Sequence, residues 1–174
     1  EDHLDRYAGL AEYASAKARV FQGRGAQVLN RGDSASMGLA LASRTQVTFG
    51  QDSPAVPEDF GIIAAEGRHW LARGEERILG ADELPIPGAH NASNALAACA
   101  LAHLAGAPLS TLADGLRAFR GLPHRMRRVA LRDGVAWFDD SKGTNVGATV
   151  AALNGLSQRT ILILGGEGKG QDFS

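Results

Sequence analysis

The sequence predicts an α/β protein, and three observations carry this prediction. A strand over Gln27–Asn30, a helix over residues 34–42 and a strand over Gln46–Phe49 follow one another at the spacing of a parallel strand–helix–strand unit. The apolar run of residues 161–164 is typical of a buried parallel strand, and it leads into a glycine-rich loop. A polar cluster at residues 139–145 lies where a strand is expected to end and a helix to begin, which is where α/β sheets bind ligands.

The overall composition limits the classes of function. The chain has 174 residues, enough for one good core and part of a second. Its 18 Lys and Arg residues against 19 Asp and Glu residues leave a net charge of −1, so nothing favours nucleic acid or an anionic membrane as a partner. The single cysteine, Cys99, is surrounded by alanines and leucines, which predicts a buried, unreactive thiol in a reducing cytosol.

The first half of the chain is expected to add a helix and a meander to the parallel unit. Apolar residues recur at spacings near three and four over residues 4–21, and Gly23 ends this helix. Asp33 can cap the helix that follows it. Three further strands, joined by glycine-containing turns, are predicted over residues 60–65, 69–72 and 77–79.

Two helices and a domain boundary are predicted next. A long helix begins near Asn91 and Asn94 and runs to about Leu104, and a second helix covers residues 110–119. At least one of the two asparagines is expected to cap the long helix, and two amides at a helix start can also contact the edge of a base. The glycine and proline of residues 121–123 then break the helical pattern, so we expect a boundary at about residue 122.

The polar cluster of residues 139–145 packs two carboxylates, a lysine, two hydroxyls and an amide into seven residues. An Asp133-Gly134 turn upstream predicts that the cluster closes a β-hairpin. Asn145 or Thr144 can cap the helix that follows, whose N–H groups and dipole favour an anion. The alternative interpretation is a solvated turn with a helix cap.

Other candidate residues are spread along the chain. His3 is either an exposed bystander or a functional histidine. Lys17 lies on the apolar side of an alanine-rich helix, where a functional role would require it to be partly buried. Arg125 follows the predicted boundary, where an arginine can bridge domains or hold a phosphate. Lys169 lies in the glycine-rich loop, which lacks the residues of a Walker A loop.

Taken together, these segments resemble the Mur ligases, the ATP-dependent amide-forming enzymes of peptidoglycan synthesis. The matching segments follow the family's order along the chain, at residues 1–7, 16–19, 88–98, 121–125, 140–145 and 165–173. The Asn-rich helix start is shared across the family, whereas the Asp-Ser-Lys-x-Thr-Asn pattern is particular to the branch that adds D-glutamate. The chain is therefore expected to be an internal fragment of a longer enzyme, inactive by itself.

The resemblance also implies the domain types. Residues 1–122 would be the C-terminal part of a central ATP-binding domain, and residues 123–174 the start of a Rossmann-like C-terminal domain that binds the amino acid. His3 would be a Mg²⁺ ligand. Lys17 would be catalytic and, once carbamylated, would hold a second Mg²⁺, which would supply the reason for its burial. Four residues would contact ATP, at its adenine or near its ribose and phosphates: Asn91, Asn94, Arg125 and Asp140.

The implied substrates are UDP-N-acetylmuramoyl-L-alanine and D-glutamate. Lys142, Thr144 and Lys169 would position D-glutamate, and Lys142 would also be catalytic. The carboxylate of the first substrate would attack the γ-phosphate of ATP to give an acyl phosphate, from which the amine of D-glutamate would displace phosphate. The resemblance further implies a cytoplasmic monomer. Two alternatives stay open: a ligase similar to folylpolyglutamate synthase, and a non-catalytic nucleotide-binding fragment.

Overall fold

The structure is a computed structural model that describes residues 7–86, 88–156 and 158–166. It divides into two compact units, one ending at Phe119 and the other starting at Arg120, whereas the sequence suggested a boundary at about residue 122. His3 and Lys169, two of the predicted site residues, lie outside the described residues. Within those residues, no helix has the length and apolar character needed to cross a membrane.

The first unit contains a five-stranded mixed sheet in the order β1-β2-β3-β4-β5. Its strands are β1 (Gln27–Asn30), β2 (Gln46–Phe49), β3 (Phe60–Ala65), β4 (Arg68–Arg73) and β5 (Glu76–Gly80). The first three strands are parallel, and β4 and β5 continue the sheet as an antiparallel meander. The predicted parallel unit and the predicted meander are both confirmed.

The helices of this unit are α1 (Leu10–Ala18), α2 (Ser34–Met37), α3 (Ala89–Leu104) and α4 (Leu109–Ala118). Of these, α3 and α4 pack on the sheet and complete its core. Leu96, Cys99 and Ala100 of α3 form one buried cluster with Phe60 and Leu71 of the sheet. Full burial of a large apolar side chain stabilises a fold by about 1.5–3 kcal/mol, so this cluster fixes α3 on the sheet.

The second helix is shorter than predicted. Asp33 caps it as expected, with Oδ1 accepting a hydrogen bond from Ala35 N at 3.0 Å, but the helix ends at Met37 and not at residue 42. The buried Gln27 side chain donates to Leu39 O at 3.0 Å and accepts from Leu41 N at 2.7 Å. These bonds occupy backbone groups that a longer helix would use, so the helix stops early.

The second unit begins with a hairpin of β6 (Arg127–Arg132) and β7 (Val135–Asp139), followed by α5 (Val146–Asn154). Asp133 and Gly134 form the turn with φ values of 49° and 77°, as the predicted two-residue turn requires. Asn145 caps α5, because its Oδ1 accepts a hydrogen bond from Ala148 N at 2.8 Å. The hairpin and the cap are therefore confirmed.

The strand predicted over residues 161–164 is wrong for the described structure. These residues have no helical or strand conformation, and Ile161 and Ile163 are 89% and 78% exposed. In the described part of this unit, β6 and β7 pair with each other and with no further strand. The segment consequently lacks the neighbouring strand that a parallel strand needs for its backbone hydrogen bonds.

Candidate functional site

The first part of the candidate site is the start of α3. Asn91 and Asn94 lie inside the first two turns of the helix, and the N-cap residue is Gly88, with φ of 106°. The prediction that one of the asparagines caps the helix is therefore wrong, since a glycine occupies the cap in a conformation that side chains disfavour. Their spacing of three places both amides on one side of α3, while Leu96 lies buried on another side.

A cavity of about 350 Å³ lies beside this helix start. Its wall includes the apolar side chains of Ile62, Leu84 and Ile86 together with the polar Gln51. Gln51 donates a hydrogen bond from Nε2 to Ala89 O at 3.2 Å, which ties the loop after β2 to the first turn of α3. His69 adds a second polar side chain to this open pocket, and a hollow of this size with a few polar groups can hold a small molecule.

The loop that carries Gln51 is anchored by Arg31, whose side chain is largely buried. Its Nη2 lies 2.9 Å from Asp52 Oδ1, and its Nη1 donates to Thr48 Oγ1 at 2.8 Å. The buried Asp59 accepts from Thr48 N at 2.7 Å and lies 3.8 Å from Arg31 Nη1. The hydrogen bond from Arg31 holds the pKa of the Asp52 carboxyl below its ordinary value. Arg31 thus joins the ends of β1, β2 and β3.

Lys17 lies in the last turn of α1 and is exposed, with its Nζ 5.2 Å from the centroid of the Tyr13 ring. The described structure does not show the partial burial that a functional Lys17 would require, since α1 buries none of its residues. No group of three or more His, Cys, Asp or Glu side chains in the described ranges could hold a metal ion. The other implied metal ligand, His3, lies outside those ranges.

The second part of the candidate site is the corner where the loop after β7 meets the turn before β6. The two adjacent carboxylates in this loop have different partners. Asp139 Oδ2 lies 2.8 Å from His124 Nδ1, and Asp140 Oδ1 accepts a hydrogen bond from Met126 N at 3.0 Å. Lys142 N also donates to His124 O at 3.0 Å. Three contacts therefore hold the loop on the turn.

The corner carries both negatively and positively charged side chains. Ser141 N donates to Asp139 Oδ1 at 3.0 Å, and this bond, together with His124, holds the pKa of the Asp139 carboxyl below its ordinary value. Three predicted site residues of the corner are exposed: Arg125, Lys142 and Thr144. A surface with cations and hydroxyls around fixed carboxylates can bind carboxylate or phosphate groups through charge-assisted hydrogen bonds.

The hairpin explains why these residues meet. Arg127 pairs with Asp139 in the β6–β7 register, so the residues before Arg127 lie opposite the residues after Asp139. The sequence prediction singled out neither the contact between His124 and Asp139 nor the role of Gln51. The Asp133-Gly134 turn indicates only that the two segments meet, because a β-bulge between Arg128 and Ala130 shifts the register and the turn does not reveal it. The position of Gln51, just past the carboxyl end of β2, would have indicated its role.

Comparisons with known proteins agree on one family. Residues 1–102 match the Mur ligase middle domain. The whole chain is 55% identical to the UDP-N-acetylmuramoylalanine–D-glutamate ligase of Aromatoleum aromaticum and 53% identical to that of Nitrosospira multiformis. It spans 38% and 37% of the lengths of these relatives. A crystal structure of MurF from Acinetobacter baumannii shares 21% identity, with a TM-score of 0.71 over 91% of this chain and 35% of that one, which confirms the predicted α/β fold class.

Proposed function

Because the chain belongs to the Mur ligase family, we propose that the full-length protein is an ATP-dependent ligase that adds D-glutamate to UDP-N-acetylmuramoyl-L-alanine in peptidoglycan synthesis. The two relatives named above carry this activity in their names and align with the entire chain. The chain spans about 38% of their length, so the reaction belongs to the longer protein. By itself, the chain is expected to be inactive.

The observation that best supports this proposal is the anchored loop before α5. Contacts to His124 and Met126 hold its backbone and Asp140, while the side chains of Lys142 and Thr144 remain exposed just before the helix. A helix start with a neighbouring lysine attracts carboxylates. We therefore assign Lys142 and Thr144, together with Lys169, to D-glutamate binding.

Four residues are assigned to the nucleotide. Asn91 and Asn94 would contact the adenine, since each amide offers both a donor and an acceptor to a base edge. The open pocket at the same helix start, which Ala89 and Ala92 help to line, supports this assignment. Arg125 and Asp140 would contact the ribose and phosphates, in keeping with the exposed guanidinium of Arg125. Residues 1–122 would then belong to the central ATP-binding domain, and residues 123–174 to the start of the C-terminal domain.

Mg²⁺ would be held by His3 and by Lys17 as its carbamate. The side chain of Lys17 is exposed, so carbon dioxide can reach it. Once the ammonium has lost a proton, the amine would attack carbon dioxide and release a second proton, and the resulting carbamate would offer Mg²⁺ the kind of oxygen anion it binds. When bound, Mg²⁺ stabilises the negative charge of the phosphoryl group during transfer. Lys17 would thus act in catalysis through the metal.

In the proposed reaction, a carboxylate oxygen of UDP-N-acetylmuramoyl-L-alanine attacks the γ-phosphorus of ATP, so that an acyl phosphate forms and ADP leaves. The amine of D-glutamate, having lost a proton, then attacks the carbonyl carbon, and phosphate leaves as the amide forms. Lys142 would stabilise the negative charge that develops during this attack. We infer that the enzyme works as a monomer in the cytoplasm.

The test is the release of inorganic phosphate by the full-length protein. We expect release from ATP that requires both UDP-N-acetylmuramoyl-L-alanine and D-glutamate, with the amide product detected by mass spectrometry. Phosphate release that depends on a folate and L-glutamate would instead support the folylpolyglutamate-type reading. ATP binding without turnover of either substrate pair would support a non-catalytic nucleotide-binding protein.

A further inference from the structure

We propose that His124 is a positioning residue: it holds the loop that carries Lys142 and Thr144 through a side-chain contact to Asp139 and a backbone contact to Lys142. The identity of the bound amino acid rests on the proposed function. The positioning itself rests on contacts within the second unit alone.

His124 contacts the loop at two points. Its Nδ1 lies 2.8 Å from Asp139 Oδ2, at the beginning of the loop, and its carbonyl oxygen accepts a hydrogen bond from Lys142 N at 3.0 Å. The second oxygen of Asp139 accepts from Ser141 N at 3.0 Å. The backbone from residue 139 to residue 142 is therefore fastened at three successive places, all connected to His124 or to its partner carboxylate.

Burial does not explain the presence of this histidine. Its side chain is 64% exposed, whereas that of Asp139 is 30% exposed. The backbone of the turn is also unfavourable for ordinary residues, with φ of 64° at His124 and 46° at Met126. Such conformations persist where surrounding contacts determine them, and here the contacts are those to Asp139 and Asp140. The same turn presents Arg125, between the two unfavourable residues.

A competing role for His124 is that of a proton acceptor acting through Nε2. His124→Asn separates the two roles. Its amide nitrogen lies near the position of Nδ1 and can donate to Asp139, but an amide is not basic and cannot take over the work of a proton acceptor. His124→Gly removes the side chain without straining the positive φ, and because glycine also loosens the backbone, it is compared with His124→Asn, which tolerates the same φ.

The first measurement is amide hydrogen exchange in the full-length protein without substrates. We expect His124→Gly to raise exchange of residues 139–145 about fivefold, because a local opening becomes easier, and His124→Asn to stay within about twofold of the original protein. Arg132→Ala, an exposed change at the far end of the same hairpin, serves as the control and should leave this segment unchanged. Unchanged exchange in His124→Gly, or equal exchange in the Gly and Asn variants, would overturn the proposal.

The second measurement is steady-state kinetics. We expect His124→Gly to raise the KM for D-glutamate about fivefold and, because Lys142 lies in the same loop, to lower kcat by a similar factor, with the KM for the UDP substrate unchanged. His124→Asn should restore the KM for D-glutamate. Asp139→Ala should raise this KM as His124→Gly does, and the variant that carries both His124→Gly and Asp139→Ala should show no further increase. A collapse of kcat that His124→Asn does not restore would show a proton acceptor and refute positioning, because an amide cannot replace a basic imidazole. If the original protein does not use D-glutamate, the proposed function fails, while the exchange result still decides the positioning.

Discussion

Arg31 illustrates how one buried cation can organise several strand ends. Its guanidinium reaches Thr48 and Asp52 and lies 3.8 Å from the buried Asp59 carboxylate. The loop between Asp52 and Asp59 leads directly from Gln51, which contacts the start of α3. A residue far from the candidate nucleotide contacts therefore helps to shape the cavity beside them.

Replacing Arg31 with Met is expected to destabilise the protein by about 3–5 kcal/mol, because it leaves the Asp59 carboxylate buried without its cation. Methionine retains much of the apolar part of the arginine side chain, so the lost stability reflects mainly the missing guanidinium charge. The free energy of unfolding, measured in urea at neutral pH, checks this value. A loss of under about 1 kcal/mol would mean that Asp59 does not depend on Arg31.

The matched control is Asp52→Asn. Asp52 is 67% exposed, so its pair with Arg31 is expected to contribute less than about 1 kcal/mol. Because the folded protein lowers the pKa of Asp52, this contribution is present above the unfolded pKa of about 3.9 and is lost as the pH falls through the folded value. The difference between Asp52→Asn and the original protein should therefore shrink below about pH 4.

At the scale of elements, the strands of the first unit were predictable, whereas the end of α2 and the start of α3 were not. The strands of the meander are defined by local apolar runs and glycine turns, which the sequence displays directly. The end of α2 depends on Gln27, whose side chain reaches backbone groups 12 and 14 residues away. The start of α3 depends on the conformation of Gly88, so the nearby asparagines gave a misleading cap signal.

Replacing Gln27 with Leu tests the control of α2. The substitution leaves Leu39 O and Leu41 N without the partners they have now, and a buried polar group without a partner costs about 1–3 kcal/mol. We expect a loss of at least about 2 kcal/mol in the free energy of unfolding. Gln46→Leu is the control, because Gln46 is exposed and donates to Leu41 O from outside the core. Equal losses in the two variants would contradict this account.

The candidate site was predictable only in part, because local motifs are visible in the sequence and contacts between distant segments are not. The order of motifs indicated Asp140, Lys142 and Thr144, and the hairpin places these residues beside the turn that carries Arg125. The pattern of α1 identified an apolar face of the helix but not what packs on it, so the sequence left open whether Lys17 is buried. Contacts between separate loops depend on how the adjoining strands pair, and a single sequence motif does not reveal that strand register.

At the scale of the whole molecule, the exposed apolar segment at residues 161–164 stands out. It has extended-strand composition, and Ile161 and Ile163 are almost entirely exposed. Unpaired apolar segments of high β-propensity associate with one another through their backbone groups. The segment is therefore a liability for the chain of 174 residues when it is produced alone.

We expect that isolated chain to self-associate, and Ile163→Lys to reduce the association, because a charge in the segment opposes its pairing. Sedimentation velocity over a range of protein concentrations measures the effect. Val20→Lys is the control: Val20 is also apolar and 77% exposed, but it lies in a helical turn at Arg19–Phe21. A reduction of equal size in both variants would show that net charge, and not the segment, governs association.

Cys99 gives the protein an internal reporter of its own opening. Burial in α3 leaves the side chain 2% exposed and raises the pKa of the thiol to about 11, so at neutral pH it reacts slowly with alkylating reagents. It lies in the cluster that joins α3 to the sheet. The speed at which a maleimide labels this sulfur therefore measures how often α3 separates from the strands, with no added dye or engineered cysteine.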